Sequence, residues 1–238
     1  MTDLHTHILP GMDDGAPDVE TSIEMLRMEA EQGVDTVVLT PHFYRNQERP
    51  EAFLERRRRS ALKLARALEG MPAEDRDKLP QLLLGAEVAW VPNLADLVDL
   101  SQFCLGKSRY FLLEPPFVPW YEDMVDQLYS LMGRTGLTPV IAHLERYLGS
   151  QKPDRIREML DLGAPIQVSA GALSKPFSKS MKLLRGEWAQ LVASDCHNTG
   201  TRRPNLGPAM ELVGRRLGRE LRSALERQAD RLADEVRG

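Results

Sequence analysis

The chain contains only five histidines, and all of them lie at the ends of predicted strands. His5 and His7 form an H-x-H pair, and Asp195 and His197 form a D-x-H pair. Because side chains alternate across a strand, the two members of each pair share one face and can bind the same ion. Independent placement would rarely produce this pattern, so it predicts metal coordination. The five histidines are His5, His7, His42, His143 and His197.

Carboxylates extend this donor set. Asp14 follows the H-x-H pair after a short loop, Glu87 ends the run QLLLGAE, and Glu114 ends RYFLLE. With Asp195 and the five histidines, the set has nine potential donors, more than one octahedral ion can use. We therefore predict a cluster of two or three ions with bridging carboxylates. Histidine and carboxylate ligands without thiolate favour Mn, Fe or Zn, with Mg as a weaker candidate.

Not every acid near the site has to bind an ion. Asp14, Glu87 and Glu114 each have the alternative role of an acid that surrounds the cluster without coordinating it. Of the adjacent pair Asp13 and Asp14, we predict that Asp14 is the ligand. Asp13, beside Gly15, is predicted to shape the loop.

A site with several cations suits the hydrolysis of a phosphate ester. The cations lower the pKa of a bound water, which becomes the nucleophile, and they bind the phosphoryl oxygens. Arginine offers a planar pair of donors for the remaining charge. Arg146 follows His143 by three residues and Arg202 follows His197 by five, with Arg203 as an adjacent substitute. A surface role remains open for each of these arginines.

Two other interpretations compete with a metal-dependent hydrolase. Cys196 and Arg202 have the C-x5-R spacing of cysteine-dependent tyrosine phosphatases, in which a thiolate attacks phosphorus. Strand alternation, however, turns the Cys196 side chain away from the face that carries Asp195 and His197. A noncatalytic scaffold stabilised by metal is the second alternative, and it requires ions with closed coordination.

Seven short apolar runs predict strands, and helical stretches lie between them. The predicted strands are DLHTH, VDTVVLTPH, QLLLGAE, RYFLLE, LTPVIAH, APIQVSA and LVASDCH. The predicted helices cover about 18–32, 51–69, 93–102, 121–133, 153–162, 177–186 and 206–236. This alternation predicts an α/β fold of parallel βα units. A closed barrel would gather all the donors at the carboxyl ends of its strands, whereas an open sheet would gather only those near its switch point.

Composition narrows the class of protein further. The 238 residues carry a net charge of −4, which gives no general electrostatic case for a nucleic-acid partner. No apolar run is long enough to span a bilayer, so we expect no stable membrane insertion and a cytoplasmic location. The two cysteines, Cys104 and Cys196, are too few for a disulfide framework. We expect residues 1–238 to form one domain.

The ordered set of motifs resembles the PHP (polymerase and histidinol phosphatase) superfamily, and within it the bacterial metal-dependent protein-tyrosine phosphatases of capsule and exopolysaccharide synthesis. The segments that carry the resemblance are DLHTHILPGMDDGA, GVDTVVLTPH, GAEV, LLEPPF, TPVIAHLERY and VASDCHN. They span nearly the whole chain in order. The resemblance implies a distorted seven-stranded (β/α) barrel of the TIM-like type, with the metal site at the carboxyl ends of the strands.

The same resemblance implies a three-metal site, commonly supported by manganese, and specific roles for residues. Arg146 and Arg202 would bind phosphate or stabilise the transition state. The implied substrate is phosphotyrosine on an autophosphorylating tyrosine kinase of polysaccharide synthesis. The implied ligands are His5, His7, Asp14, His42, Glu87, Glu114, His143, Asp195 and His197.

The identity of the substrate stays open at this stage. A small phosphate ester such as histidinol phosphate, or a nucleotide or DNA end, fits the same metal chemistry. The stretch EPPFVPWYEDM carries Phe117, Trp120 and Tyr121, which are suited either to lining a pocket for an aromatic substrate or to packing under a rim loop.

Overall fold

The computed structural model describes residues 1–175 and 177–237, which form parallel strands that alternate with helices. The strands are β1 (Thr2–Thr6), β2 (Thr36–Leu39), β3 (His42–Phe43), β4 (Gln81–Leu84), β5 (Glu87–Ala89), β6 (Tyr110–Glu114), β7 (Thr138–Ile141), β8 (Gln167–Ser169) and β9 (Leu191–Ala193). The α-helices are α1 (Val19–Glu31), α2 (Pro50–Glu69), α3 (Ala73–Arg76), α4 (Leu94–Leu97), α5 (Met124–Thr135), α6 (Pro153–Asp161), α7 (Ala170–Leu173), α8 (Lys179–Arg185), α9 (Leu206–Leu217) and α10 (Arg219–Arg237). Short 3-10 helices cover Leu100–Phe103 and Leu144–Arg146.

The strands form three small parallel sheets. Their orders are β1-β2-β4, β3-β5-β6-β7 and β8-β9. The predicted parallel α/β fold is therefore confirmed. The strand ladders do not join into one continuous sheet, so the closed seven-stranded barrel stays a prediction.

Two predicted strands are each interrupted in the middle. The run VDTVVLTPH divides into β2 and β3 at Thr40 and Pro41, and QLLLGAE divides into β4 and β5 at Gly85 and Ala86. Pro41 has no N–H to donate to a ladder. A Cβ atom at Gly85 would lie 2.9 Å from Leu105 Cδ2, so the close approach there favours glycine. The breaks lie side by side, and beyond them β3 and β5 pair with His42 opposite Glu87.

Local contacts join the edges of the three sheets. Thr6 and Cys196 form an isolated parallel bridge, as do Ile141 and Ile166. Near the first bridge, the His7 N–H donates to the Cys196 carbonyl at 2.9 Å. As a result, the segment after β9 lies beside β1, although the two are far apart in the sequence.

The helices follow the predicted pattern, with local breaks. Asp18 caps α1, because its carboxylate accepts a hydrogen bond from the Thr21 N–H at 2.8 Å. The stretch 206–236, predicted as one helix, is divided into α9 and α10 at Gly218, whose φ of +103° lies in the region that favours glycine. The predicted helix over 93–102 is replaced by the short α4 and a 3-10 helix.

An apolar core separates the helices from the sheets. Phe43, Phe53 and Phe103 are fully buried in it, with ring centroids 4.5 to 5.5 Å apart. Phe43 is the second residue of β3, so the strand that begins at His42 is anchored in this packed layer. Among the described residues, no helix is both long and apolar enough to cross a membrane.

Candidate metal centre

All nine predicted donors meet in one region, at or just beyond the carboxyl ends of the strands. The structure contains three overlapping groups of candidate ligands. Within each group, one ligand atom from every residue lies within 4.8 Å of the others. The groups are His7, Asp14, His42 and His197; His5, His7 and Glu87; and His42, Glu87 and Glu114. His143 and Asp195 lie beside these groups. The structure therefore brings the predicted set together without leaving a member outside.

Glu87 lies at the centre of the cluster and faces histidines from several strands. Its Oε2 atom is 3.2 Å from His5 Nε2 and 3.3 Å from His7 Nε2. Its Oε1 atom is 2.9 Å from His143 Nε2, which is itself 3.5 Å from Glu114 Oε1. A carboxylate with both oxygens in such contacts is suited to bridging two ions.

A second part of the cluster lies nearer the surface. Asp14 Oδ1 is 3.3 Å from His197 Nε2 and 3.6 Å from His42 Nε2. The Asp14 side chain is 64% exposed, whereas the His7 ring that completes this group is fully buried. The His7 and His197 rings stack with their centroids 3.8 Å apart. This group is therefore a candidate ion site that is open to solvent on the Asp14 side.

Several buried atoms in the cluster have no hydrogen-bond partner among the described residues. They include His42 Nδ1, Glu87 Oε2 and His197 Nε2. His42 Nδ1 does lie 2.9 Å from Glu87 Oε2, but the angle between them does not make a hydrogen bond. Buried polar groups are normally satisfied, so unpaired nitrogen and oxygen atoms that face one another fit a site for cations. The residues present therefore fit a metal cluster.

Asp13 has a role that sequence reasoning assigned incompletely. We predicted that it shapes the loop, and its Oδ1 atom does accept from the Gly15 N–H at 2.9 Å. Its Oδ2 atom, however, lies 2.7 Å from His7 Nδ1 and also accepts from the His42 N–H at 2.9 Å. A carboxylate that binds one ring nitrogen directs the other nitrogen of that ring toward a metal. Asp13 thus orients His7, and the acid that follows the H-x-H pair was the available signal.

Gln167 is a positioning residue that the sequence analysis missed. Its Oε1 atom lies 3.4 Å from His5 Nδ1 and accepts from the His143 N–H at 2.8 Å. One amide oxygen therefore connects two histidines that come from different strands. A glutamine in a predicted strand gives no local signal for this role.

The electrostatics of the cluster couple its acids to its histidines. Burial lowers the pKa of His7, but its hydrogen bond to Asp13 and the nearby negative charge of Glu87 outweigh burial and raise that pKa to about 10. Burial likewise opposes the charged form of Glu87, yet His5 and His143 hold its pKa well below the usual range. Burial, followed by the nearby His7, lowers the pKa of His197 to about 3. In the absence of cations, the ionised carboxylates of Asp13 and Glu87 are therefore paired with a protonated His7, whereas His197 is neutral.

Both predicted arginines reach this cluster through the same acid. Arg146 Nη2 contacts Asp195 Oδ2, and Arg202 Nη2 lies 2.9 Å from Asp195 Oδ1. Arg202 Nη1 also lies 3.5 Å from Asp14 Oδ2. Arg203 is exposed and forms no salt bridge with a described residue. Of the two adjacent arginines, Arg202 is the one beside the donors.

Two of the donors lie on unusual backbone. His143 has a φ of +34° and Asp195 a φ of +54°, which is uncommon for residues other than glycine. Each follows the end of its strand, β7 or β9. Backbone strain of this kind is often concentrated at functional sites. Here the left-handed backbone conformation accompanies two side chains that point into the cluster.

The environment of Cys196 argues against a thiolate mechanism. The residue is fully buried, and its Sγ atom contacts Glu29 Oε1 of α1 at 3.7 Å. Burial, followed by the nearby acids Glu29 and Asp3, raises the pKa of the thiol well above its usual range. A nucleophilic cysteine requires the opposite environment.

The aromatic residues after β6 divide between core and rim. Trp120 is buried, and its Nε1 atom donates to the Pro116 carbonyl at 3.1 Å. Phe117 is 60% exposed, with its ring centroid 5.2 Å from that of Tyr147 and 6.2 Å from that of His143. Phe117 therefore offers an exposed aromatic face next to the cluster, whereas Trp120 supports the loop.

Known proteins are similar to this chain in both sequence and fold. Tyrosine-protein phosphatase YwqE of Bacillus subtilis is 32% identical over 98% of this chain and 91% of its own length. Tyrosine-protein phosphatase CpsB of Streptococcus agalactiae is 28% identical over 92% of each chain.

A crystal structure from work on YwqE and Streptococcus pneumoniae CpsB, described as metal-dependent tyrosine phosphatases, matches with a TM-score of 0.82. It is 30% identical and covers 99% of this chain and 95% of that chain. The predicted resemblance to the tyrosine phosphatases of capsule synthesis is confirmed. The family model for capsular polysaccharide synthesis, CpsB/CapC, matches residues 1–231, and the chain belongs to that family.

Proposed function

We propose that this chain is a metal-dependent protein-tyrosine phosphatase that acts in capsular or exopolysaccharide synthesis. The observation that carries the proposal is the convergence of nine nitrogen and oxygen donors next to two arginines. Relatives named as tyrosine-protein phosphatases, aligned over nearly the whole chain, support it.

The donors would hold a cluster of two or three cations, with Mn²⁺ preferred and Fe, Zn or Mg as alternatives. When bound, such cations supply Lewis acidity, which activates water and neutralises phosphoryl oxygens. The residues proposed as ligands are His5, His7, Asp14, His42, Glu87, Glu114, His143, Asp195 and His197.

The side chains around the cluster keep these ligands in place. Asp13 accepts from His7 Nδ1 and Gln167 Oε1 from His5 Nδ1, so the Nε2 atom of each ring is left facing the donors. His197 Nδ1 is held in the same way, 3.0 Å from the Asp195 carbonyl. The ligands are thus oriented before substrate arrives.

The two arginines provide the anion-binding side of the site. Arg146 and Arg202 both contact Asp195, and we propose that their guanidinium groups bind the phosphoryl oxygens of the substrate. The phenolate of tyrosine has a conjugate acid with a pKa of about 10, so its departure depends less on a general acid than that of an alkyl group. Phe117 lies where the aromatic ring of the substrate can stack.

The architecture that fits this function is a distorted seven-stranded barrel formed by residues 1–238 as one domain. The bridges at Thr6–Cys196 and Ile141–Ile166 support it, because they join the edges of the three sheets. One apolar core that extends from α1 to α10 supports a single domain.

The proposed substrate is a phosphotyrosine-bearing protein, in particular an autophosphorylating tyrosine kinase of polysaccharide synthesis. The family's role in capsular polysaccharide synthesis supports this assignment. A cytoplasmic location belongs to the proposal and accords with two cysteines that are both free.

The test is phosphate release from a phosphotyrosine peptide by the metal-loaded protein. We expect activity with Mn²⁺, loss of activity on chelation, and loss in His42→Ala, with circular dichroism used to verify that the variant folds. Histidinol phosphate and phosphoserine peptides serve as comparison substrates. A strong preference for histidinol phosphate would replace the protein substrate by the small ester, and activity that resists chelation would refute the metal mechanism.

A further inference from the structure

A cavity of about 610 Å³ lies beside the two arginines. Arg146, Asp195 and Arg202 line one side of it, so it is continuous with the candidate metal centre. Residues of α7 and the first residue of α8 line the other side. The cavity therefore extends the site beyond the place where a phosphoryl group would bind.

The rim of this cavity carries cations that have no described partner. Lys175, Lys179 and Arg203 line it and are exposed, and none forms a salt bridge within the described parts of the chain. Arg146 and Arg202, by contrast, are already paired with Asp195. The whole chain has a net charge of −4, so these three unpaired cations form a local positive patch on an acidic protein. Such a patch attracts anions.

The inner wall of the cavity carries unpaired hydrogen-bonding atoms. Glu145 and Ser169 are 6% and 7% exposed, and Glu145 Oε2 and Ser169 Oγ have no hydrogen-bond partner in the described structure. A carboxylate oxygen and a hydroxyl suit the N–H and carbonyl groups of a peptide backbone. A cavity of this volume is roughly 8 Å across, or about two to three extended residues at ~3.3 Å each.

We propose that this cavity is a subsite for the polypeptide segment next to the phosphotyrosine, and that it selects an anionic side chain there. The anion is a carboxylate or a second phosphate, because either satisfies the cations on the rim. The inference rests on the proposed function, since it describes the part of the substrate that flanks the reacting group. A small phosphate ester would not occupy this subsite.

The experiment compares phosphotyrosine peptides that differ only in their flanking residues. One peptide has neutral flanks, one has aspartate and glutamate, and one has a phosphoserine. Each is assayed with the Mn-loaded wild-type protein, with the double variant Lys175→Gln/Lys179→Gln, and with Lys182→Gln. Lys182 is a matched control, because it is an exposed lysine on the same helix that does not line the cavity.

We expect a lower KM for the anionic peptides than for the neutral one, and a preference that weakens as salt is added. The double variant should raise the KM for the anionic peptides by about five- to tenfold, as expected from the loss of two exposed charge contacts, with kcat unchanged. Lys182→Gln should behave as wild type, and hydrolysis of a small aryl phosphate should be the same in all three proteins. A response to only one anionic peptide still supports the subsite and identifies its preferred anion.

Two results would overturn the inference. Equal KM values for neutral and anionic peptides, together with normal hydrolysis of the aryl phosphate, would refute the subsite and leave the proposed function standing. An equal effect of Lys182→Gln would show general attraction rather than a subsite. If no phosphotyrosine peptide is hydrolysed, the proposed function fails and the subsite fails with it.

Discussion

Asp13 and Asp14 are adjacent carboxylates for which the structure predicts different consequences of the same substitution. The Asp13 side chain is only 6% exposed and hydrogen-bonds to His7 Nδ1 at 2.7 Å, behind the proposed ligand. Asp14 is largely exposed and faces His42 and His197 directly. Changing each to asparagine removes one charge and keeps a side chain of nearly the same shape. Comparing the two variants therefore distinguishes the loss of a residue that orients a proposed ligand from the loss of a proposed ligand.

The expected magnitude for Asp13→Asn follows from its contact with His7. A hydrogen bond to a charged group contributes about 1.5–3 kcal/mol and a neutral one about 0.5–1.5 kcal/mol, so the difference corresponds to roughly tenfold in binding. Loss of the partner of a metal-bound histidine weakens metal affinity by about 10–100-fold. We expect Asp13→Asn to lower Mn²⁺ affinity within that range. At saturating Mn²⁺, kcat should return to within a few-fold of wild type, because no reacting group touches Asp13.

Asp14→Asn removes a charged donor from the group that also contains His7, His42 and His197. Its kcat should stay low even at saturating Mn²⁺. Isothermal titration calorimetry measures the affinity, and phosphate release from a phosphotyrosine peptide across a Mn²⁺ series measures kcat. An Asp13→Asn protein that binds Mn²⁺ as tightly as wild type, or whose activity no concentration of Mn²⁺ restores, would refute the reasoning.

Three further outcomes are expected. Bound cations must displace protons from His7 and His143, whose pKa values are raised to about 10 and about 9, so Mn²⁺ affinity should increase from pH 6 to pH 8.5; a flat calorimetric profile would contradict this. Cys196→Ser should retain chelator-sensitive activity within about twofold of wild type, because a buried thiol with a raised pKa takes no part in the chemistry, and a complete loss in a folded variant would argue for the thiolate. Phe117→Ala should raise the KM for phosphotyrosine by about fivefold and leave Tm unchanged, because Phe117 is exposed. Trp120→Ala removes a buried side chain and should lower the free energy of unfolding by ~3–5 kcal/mol. If Phe117→Ala lowers stability and Trp120→Ala raises the KM, Phe117 is structural.

The donors were predictable from the sequence because a parallel fold places the ends of its strands together. Glu87 starts β5 beside His42 of β3, and Glu114 ends β6, so alternation and strand order were enough to locate these side chains. The two-residue period of a strand was enough to predict that His5 and His7 share one face. The candidate donors were therefore recognisable from local sequence patterns, and the fold places them in one cluster.

Residues that act through others left little or no local signal. Gln167 connects His5 and His143 by one amide oxygen, and the sequence separations of 162 and 24 residues make that contact a property of the fold alone. The choice of Arg202 over Arg203 likewise depends on the turn between His197 and Arg202, in which the His197 N–H donates to the Arg202 carbonyl. Spacing alone could not distinguish two adjacent arginines.

The interruptions at Pro41 and Gly85 show why exact strand boundaries were also out of reach. The interruption at Gly85 depends on its neighbours, because a Cβ atom there would lie 2.9 Å from Leu105 Cδ2 and 3.2 Å from Thr40 Cγ2. Because both strands break at the same level, β3 and β5 can begin again together, with His42 opposite Glu87. Each of the two apolar runs predicted as one strand is thus two short strands. The break between them determines which residues of β3 and β5 lie opposite each other, and these are His42 and Glu87. The two breaks, which the sequence does not mark, therefore align two candidate ligands that the sequence does mark.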